Sequence, residues 1–372
     1  MNCIILGPAH PLRGGLASYN ERLAHAFIEK GHSCKIITYS LQYPRFLFPG
    51  KTQYSDQPAP EKLEIDPCVN SINPLNWISV GNRIAKERPD LLLFRYWMPF
   101  MAPAQGTIAR RVKKNGHTRI VAITDNIIPH EKMMMSKQLT SYFLRSCDAF
   151  ITMSASVLKD LKEMNVSAPA KYVPHPLYDN FGEEVARDLA LKELNLDPAF
   201  RYILFFGFIR KYKGLDLLLE SFSDDRLHKL PIKLIIAGEY YEDASPYKEL
   251  IQGLRLQDRV IERNEFIPDN LVKYYFSACD LVTQTYRHAT QSGVTQVAYQ
   301  FKRPVLVTDV GGLAEMVPDG KVGYVVKPEA KLIANKIFEF FSSPSHQGFR
   351  SGIEEERKKY SWDAMVNAII NI

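Results

Sequence analysis

The feature that most constrains the fold is an alternation of short apolar strands and helices that occurs twice along the chain. Residues 2–6 form the first apolar run, and similar runs recur with helical segments between them up to residue 153. Val173–Tyr178 interrupts this series with two prolines, and a second series begins at Tyr202. Short buried strands that alternate with helices are typical of parallel sheets covered by helices on both faces. The sequence therefore predicts an α/β protein with two doubly wound domains.

The length of 372 residues supports this division, because single cores rarely grow beyond about 250–300 residues. We predict a first domain over residues 1–178, a second over 179–355, and a C-terminal helix over 356–372 that packs back toward the first domain. Two similar halves imply a cleft between them, and small-molecule sites concentrate at such interfaces. Residues 41–75 are rich in proline and aromatic residues and are expected to form a long loop.

Composition points to an ordinary globular protein, with 46% hydrophobic and 24% charged residues. No run approaches the roughly 20 apolar residues of a transmembrane helix, and the start of the chain lacks the features of a signal peptide. Five scattered cysteines without a C-x-x-C pair indicate reduced thiols rather than disulfides or zinc. These features predict a cytoplasmic protein.

Positive charge is concentrated in the first half. Residues 1–178 hold 22 Lys and Arg against 13 Asp and Glu. An anionic partner, such as a phospholipid surface or a phosphorylated carrier, would explain this surplus, and so would a solvated basic face without a partner. Nucleic acid is not expected, because no nucleic-acid-binding module is present. The candidate contacts with such a membrane surface or carrier are four cations at one helix end: Arg110, Arg111, Lys113 and Lys114.

Three loops at the ends of predicted strands carry residues suited to an anion. Gly14-Gly15 follows the first strand, but it is not G-x-G-x-x-G and no acidic residue ends the second strand, so a dinucleotide site is disfavoured. Arg210 and Lys213 lie in a loop bracketed by glycines; fixed cations of this kind suit a diphosphate, and a solvated basic turn is the alternative. Ser292-Gly293 opens a helix whose first N–H groups also suit an anion.

Further motifs follow in a fixed order: Phe150–Ser154, Gly207…Arg210…Lys213-Gly214, Gly238-Glu239, Cys279–Val282, Arg303-Pro304-Val305, Gly311–Glu315, Gly320…Gly323 and Tyr360-Ser361-Trp362. Together with the glycine loops, their order and spacing resemble the retaining glycosyltransferases of the GT-B fold, in the group 1 or family 4 class. The likeness runs over nearly the whole chain. It implies two Rossmann-like parallel-sheet domains that face each other across a cleft.

The resemblance also implies an activity. The enzyme would move a sugar from a nucleotide-sugar donor to a hydroxyl of a glycan or lipid-linked acceptor, in cell-surface polysaccharide or lipopolysaccharide synthesis. Arg210 and Lys213 would hold the diphosphate, and retention is usually assigned to front-face attack in this class, so no nucleophile is expected. The implied donor-binding residues are Gly14, Gly15, Gln291, Ser292, Gly293, Val294, Thr295 and Gln296. Since the chain contains no Asp-x-Asp, no metal or other cofactor is expected.

Two positions depart from the family pattern. Ala289 and Val297 stand where the family commonly has the two glutamates of E-x7-E. Asp125 stands where the family often has a histidine, so His130 becomes the candidate for sugar or acceptor contact, with Glu131 or Asp125 to orient it; a histidine that caps a turn is the alternative. The missing glutamates keep open a second function, that of a non-catalytic GT-B binding subunit. A different GT-B enzyme, a sugar-nucleotide epimerase, is the third alternative.

Overall fold

The computed structural model describes residues 1–45, 48, 50–127, 135–289, 292–344 and 348–372. The chain divides into two compact domains. The first comprises Met1–His175 together with Ser361–Ile372, and the second comprises Pro176–Tyr360. The C-terminal segment thus belongs to the same compact unit as the start of the chain.

The first domain is built on a sheet of seven parallel strands. Its strands are β1 (Asn2–Leu6), β2 (Ser33–Leu41), β3 (Glu64–Asn70), β4 (Leu91–Tyr96), β5 (Arg119–Thr124), β6 (Ala149–Thr152) and β7 (Ala170–Tyr172). The spatial order is β3-β2-β1-β4-β5-β6-β7. Helices connect the strands: α1 (Gly15–Glu29), α2 (Pro74–Glu87), α3 (Ala102–Lys113), α4 (Ser136–Leu144) and α5 (Ala155–Glu163).

The second domain repeats this plan with six parallel strands. These are β8 (Arg201–Phe206), β9 (Ile232–Ala237), β10 (Val260–Arg263), β11 (Leu281–Gln284), β12 (Val305–Thr308) and β13 (Gly323–Val326), in the order β10-β9-β8-β11-β12-β13. Its helices are α6 (Arg187–Glu193), α7 (Leu215–Phe222), α8 (Asp225–His228), α9 (Ser245–Gly253), α10 (Asp269–Ala278), α11 (Gly293–Gln300), α12 (Ala330–Ser342) and α13 (Phe349–Glu356). The last helix of the chain, α14 (Trp362–Asn371), belongs to the first domain.

Buried apolar strands explain this architecture. All six residues of β4 are buried, as are all four residues of β11 and of β12. Strands that are buried on both faces need helices on both sides of the sheet, and the helices between them supply that cover. The predicted α/β fold with two doubly wound parallel sheets is therefore confirmed.

The loop expected over residues 41–75 is partly wrong, because its last part forms β3. Among the described strands it lies at the edge of the sheet and pairs with β2, with register shifts between Thr38 and Tyr39 and between Tyr39 and Leu41. Pro67 lies inside it, and a proline without an N–H is tolerated on an edge strand but not in the middle of a sheet. The sequence did not predict this strand because its polar residues and its proline are typical of a loop.

The strand order reverses direction between β1 and β4 in the first sheet and between β8 and β11 in the second. In open α/β sheets, ligands bind beyond the carboxyl ends of the strands at such a point. The loops after β1 and β8 therefore begin at the position in each sheet that favours a site. No helix among the described residues is long and apolar enough to cross a membrane.

Candidate functional site

The loop from β8 to α7 is shaped by glycines that have left-handed backbone angles. Gly207 has φ 92° and Gly214 has φ 64°, a region that other residues adopt only with strain. A Cβ atom on Gly214 would lie 2.0 Å from the carbonyl oxygen of Thr285, which follows β11. Close approach of the two backbones thus places Lys213 beside the end of β11.

Lys213 is a buried cation in this loop. Its side chain is 8% exposed, and its Nζ lies 5.7 Å from the centre of the Tyr286 ring. Among the described residues, no carboxylate forms an ion pair with it. Burial first, and then the charge of Arg210, lower the pKa of Lys213 from 10.5 to about 7. The charged form is therefore destabilised in the free protein and would be stabilised by an anion.

Arg210 lies three residues before Lys213, and the two positions are joined by a hydrogen bond from Lys213 N to Arg210 O of 2.8 Å. The guanidinium carbon lies 5.3 Å from the centre of the Tyr241 ring. Within the part of the chain that the structure describes, Arg210 has no acidic partner either. The loop thus holds two cations close together, and no carboxylate of the described residues neutralises them. Such a pair of cations suits a diphosphate.

Tyr286 links this cation loop to the loop before α11. Its hydroxyl lies 3.2 Å from Oγ of Ser292, and the same Oγ accepts a hydrogen bond from the N–H of Val294 at 3.3 Å. Ser292 is thus the N-cap of α11. A Cβ atom on Gly293 would lie 2.8 Å from the ring of Tyr178. The predicted residues Arg210 and Lys213 therefore lie in the loop after β8, and Ser292, Gly293 and Val294 lie at the N-terminus of α11; Tyr286 contacts both Lys213 and Ser292.

Thr295 and Gln296 are fully buried in α11 and bond within the domain. Nε2 of Gln284, the last residue of β11, donates to Oγ1 of Thr295 at 2.8 Å. Nε2 of Gln296 donates to Sδ of Met316 at 3.1 Å, while its Oε1 accepts no hydrogen bond from a described residue. These contacts hold α11 against the sheet. Direct contact of either side chain with a ligand stays a prediction.

Ala289 and Val297 are the positions at which the resemblance predicts the two glutamates of E-x7-E, and this assignment stays a prediction. Ala289 is half-buried, and Val297 is buried in α11. Gln291, the neighbouring candidate, lies outside the described residues, as do His130 and Glu131. Their predicted roles therefore remain predictions.

In the first domain, Gly15 is the first residue of α1. Gly14 is the N-cap residue, with φ 106°, and it provides no side-chain cap. Asp125 follows β5 and forms a bidentate ion pair with Arg95, in which Nε and Nη2 of Arg95 each lie 2.6 Å from a carboxylate oxygen. Both oxygens of Asp125 accept hydrogen bonds from Arg95, and the role of Asp125 as an orienting group for His130 stays a prediction.

The four predicted surface cations occupy the last turn of α3, but their environments differ. The guanidinium carbon of Arg110 lies 3.8 Å from the centre of the Tyr142 ring, and Arg110 also donates to two backbone carbonyl oxygens. Lys113 pairs with Asp148 at 2.6 Å. Arg111 packs its Cβ near Gly81, and Lys114 is exposed. Arg110 therefore helps to hold α3 and α4 together.

Sequence reasoning missed three residues at these strand ends: Tyr286, Tyr241 and Arg95. The only available signal was position, since each lies at or just after the end of a predicted apolar strand. Nothing in the sequence indicated that Tyr286, in the loop before α11, would lie near Lys213 in the loop after β8. The pairing of Arg95 with Asp125 also depends on β4 and β5 being neighbours in the sheet.

Comparison with known proteins agrees with this architecture. The family model described as "Glycosyl transferases group 1" matches residues 187–360, and the one described as "Glycosyltransferase Family 4" matches residues 13–178. A curated relative is the lipopolysaccharide 1,2-N-acetylglucosaminetransferase of Salmonella typhimurium, 25% identical over 229 residues. The match covers 58% of this chain and 59% of that protein, so less than two thirds of the relative is spanned.

Solved structures match over the full length. Sucrose-phosphate synthase from Thermosynechococcus elongatus superimposes with a TM-score of 0.77 at 17% identity, covering 100% of this chain and 98% of the other. The Anabaena protein HepE in complex with UDP-glucose gives a TM-score of 0.75 at 15% identity, with the same coverage. At such identities the likeness concerns the fold. With both domains matched by family models, the chain belongs to the group 1 glycosyltransferases of the GT-B fold.

Proposed function

We propose that the protein is a retaining glycosyltransferase that moves a sugar from a nucleotide-sugar donor to a hydroxyl of a glycan or lipid-linked acceptor. The observation that carries this proposal is the pair of cations at the end of β8. Arg210 and Lys213 lie close together, one of them is buried, and neither has an acidic partner among the described residues. Such an arrangement is unfavourable without a ligand and is stabilised by a bound diphosphate.

In the proposed reaction, the bond between the anomeric carbon and the phosphate oxygen breaks, and the nucleoside diphosphate leaves with the electron pair. The acceptor oxygen forms its bond to the same carbon from the same face, and its proton passes to the departing phosphate. Arg210 and Lys213 stabilise the charge that develops on the leaving group. Because these cations supply the positive charge, we expect turnover to persist in the presence of a metal chelator.

Further donor contacts are assigned to backbone amides. Ser292, Gly293 and Val294 begin α11, and the N-terminus of a helix favours an anion. In the first domain, Gly14 and Gly15 are kept as donor-binding candidates. Gln291, Thr295 and Gln296 are kept as donor-binding candidates, and His130 is kept as a catalytic candidate.

The comparisons support the class of substrate. The Salmonella relative is named for transfer of N-acetylglucosamine in lipopolysaccharide, and the HepE structure contains UDP-glucose. We infer a role in the synthesis of a cell-surface polysaccharide or lipopolysaccharide, at the inner face of the plasma membrane. The basic end of α3 is the proposed contact with that surface or with the acceptor.

A panel of nucleotide sugars and nucleoside diphosphates tests this function. A bound nucleotide raises the apparent unfolding temperature by mass action, and turnover releases the nucleoside diphosphate. Lys213→Ala should abolish both effects, whereas Lys211→Ala, an exposed lysine in the same turn, should preserve both. Loss of both effects in the Lys211 variant, or neither effect in the wild type, would refute the proposal. Binding without turnover would favour a non-catalytic subunit.

A further inference from the structure

The cation loop, residues 207–214, contains little regular structure that could fix its position. A single 3₁₀ turn, Lys211–Lys213, lies between Gly207 and Gly214. The ammonium group of Lys213 lies over the start of the loop, because a Cβ atom on Gly207 would be 3.1 Å from Nζ of Lys213. A buried ammonium group favours any movement that returns it to water. The position of Lys213 therefore depends on the contacts that the loop makes with its neighbours.

The loop after β9 holds the first half of the cation loop through its backbone. The N–H of Gly207 donates to the carbonyl oxygen of Ala237 at 2.9 Å, and the N–H of Ile209 donates to that of Glu239 at 2.9 Å. The N–H of Tyr241 donates in turn to the carbonyl oxygen of Ile209 at 3.0 Å. These three hydrogen bonds join main-chain atoms, so they do not depend on which side chains are present.

The loop after β11 holds the second half of the cation loop, and here a side chain takes part. Thr285 is fully buried, and its hydroxyl donates to the carbonyl oxygen of Gly214 at 2.8 Å. Two residues further on, the N–H of Arg287 donates to the carbonyl oxygen of Tyr212 at 2.7 Å. The end of the cation loop that carries Lys213 is thus attached to the loop after β11.

A second buried threonine fixes the loop after β11 from its other side. Thr308 is the last residue of β12 and is fully buried. Its hydroxyl donates to the carbonyl oxygen of Tyr286 at 2.6 Å and lies 3.4 Å from that of Gln284. The two hydroxyl groups therefore act in series, because Thr308 holds Tyr286 at the end of β12 and Thr285 holds Gly214.

The ion pair between Arg287 and Asp216 joins the same two loops but contributes less. Nη2 of Arg287 donates to Oδ2 of Asp216 at 2.6 Å, and the two side chains are 39% and 30% exposed. Water screens a pair of this kind, so its contribution is small. The loss of a buried hydroxyl donor has a larger effect, because the carbonyl oxygen that it served becomes less well satisfied. The position of the cation loop thus depends mainly on the threonines.

We propose that Thr285 and Thr308 are positioning residues whose hydroxyl groups fix the cation loop so that Arg210 and Lys213 meet the diphosphate of the donor. This inference rests on the function proposed above. Neither threonine acts on the substrate, since each acts through the backbone of the loop after β11. Binding groups must be held within about 0.5 Å of their productive geometry, and the two buried hydroxyl groups provide that restraint.

Thr285→Val and Thr308→Val test the proposal in the full chain, because valine has nearly the shape of threonine and lacks the hydroxyl. Hydrogen exchange in peptides from residues 207–216, measured without ligand, should become about fivefold faster or more in both variants. The affinity for the nucleoside diphosphate that the wild type binds should fall about fivefold or more. Thr285→Ser and Thr308→Ser keep the hydroxyl and should retain both properties to within about twofold of the wild type.

The matched control is Thr283→Val, which removes a buried hydroxyl from the same strand end. Thr283 is 1% exposed, and its hydroxyl donates at 3.2 Å to the carbonyl oxygen of Leu204, inside β8. This variant also loses a buried hydrogen bond, but one that does not involve the cation loop. Exchange at residues 207–216 and the affinity for the nucleoside diphosphate should therefore change less than about twofold.

Unchanged exchange or unchanged affinity in both valine variants would overturn the inference. An equal effect of Thr283→Val, or a loss that the serine variants share, would overturn it as well, because general destabilisation would then explain the result. Failure of the wild type to bind any nucleoside diphosphate would instead overturn the proposed function. Exchange without ligand would still show whether the two threonines hold the loop.

Discussion

At the scale of single residues, Lys213 is a cation in an unfavourable environment. An ammonium group that is buried beside an arginine, without a carboxylate among the described residues, costs free energy in the folded protein. Residues of this kind are concentrated at functional sites, because a ligand can supply the missing charge. The protonation of Lys213 should therefore be coupled both to ligand binding and to folding.

Binding of a nucleoside diphosphate should take up a proton above neutral pH. The pKa of Lys213 is lowered to about 7 in the free protein, and an anion beside the ammonium raises it. Calorimetry at about pH 8.5 in buffers of different ionisation enthalpy should show uptake of about one proton per ligand. The affinity should fall as the pH rises from 7 to 9. Lys213→Met should remove this proton uptake, and Lys211→Met should retain it; equal uptake in all three proteins would contradict the assignment.

The same shift has a consequence for folding. In the unfolded chain a lysine titrates near 10.4, so between about pH 7 and pH 10 the unfolded state binds the extra proton and a rise in pH favours the folded state. Below pH 7 both states carry the proton and the full cost remains. We therefore expect the ligand-free Lys213→Met variant to unfold at a higher temperature than the wild type at pH 6.5, with a smaller difference at pH 9.5. A Lys213→Met variant that is less stable at pH 6.5 would show that the ammonium group is satisfied within the protein.

At the scale of elements, α3 and α4 and the residues that follow them carry exposed cations in the first domain. Lys114, Lys137 and Arg145 are exposed there, and Tyr142 and Met135 are 38% and 58% exposed beside them. Arg110 is less suited to a surface contact, because its guanidinium stacks on Tyr142. Lys114, Lys137 and Arg145 are therefore the cations whose contribution to membrane binding should be tested.

Neutralising Lys114, Lys137 and Arg145 to glutamine should weaken binding to vesicles of anionic phospholipid by about tenfold or more, since each cation near such a surface contributes about 1 kcal/mol. The remaining binding should depend less on salt than that of the wild type. Sedimentation with vesicles at two salt concentrations measures both effects. The matched control neutralises Lys192, Lys229 and Lys248, three exposed lysines of the second domain. Equal loss in both triple variants would mean that net charge, and not this surface, determines binding.

Individual elements were predictable where one local signal dominated. The apolar runs that became β1 and β8 needed no tertiary information, and Ser292 as N-cap of α11 follows from residue type. The edge strand β3 was missed because Pro67 and its polar neighbours are typical of a loop. The sequence does indicate the start of helix α2, because Asn73-Pro74 is a typical pair for an N-cap and the first helical position. In the structure the Asn73 side chain accepts hydrogen bonds from the amides of Leu75 and Asn76.

At the scale of the whole molecule, two doubly wound domains followed from the repeated alternation, and the cation loop followed from residue type and position. Contacts between segments that are distant in the chain did not follow from the sequence. Arg95 pairs with Asp125 across neighbouring strands, and the ring of Tyr286 lies near Nζ of Lys213 in the loop after β8, so both contacts depend on the three-dimensional arrangement of distant segments. Sequence patterns report local periodicity, whereas these pairs are determined by strand order.

The C-terminal helix α14 belongs to the first domain, although the whole second domain separates it in sequence from the rest of that domain. Helix α14 buries Ile369 completely, Ile370 accepts a hydrogen bond from Arg119 at 3.0 Å, and Asp363 pairs with Lys30. Ile369→Ala should destabilise the first domain by about 2–5 kcal/mol through loss of buried methyl groups and the cavity that remains. Hydrogen exchange should accelerate in peptides from Met1–His175 and remain unchanged in those from Pro176–Tyr360. Asn367→Ala, on the exposed face of the same helix, should change neither. Faster exchange in the second domain of the Ile369 variant would show that α14 stabilises Pro176–Tyr360 as well.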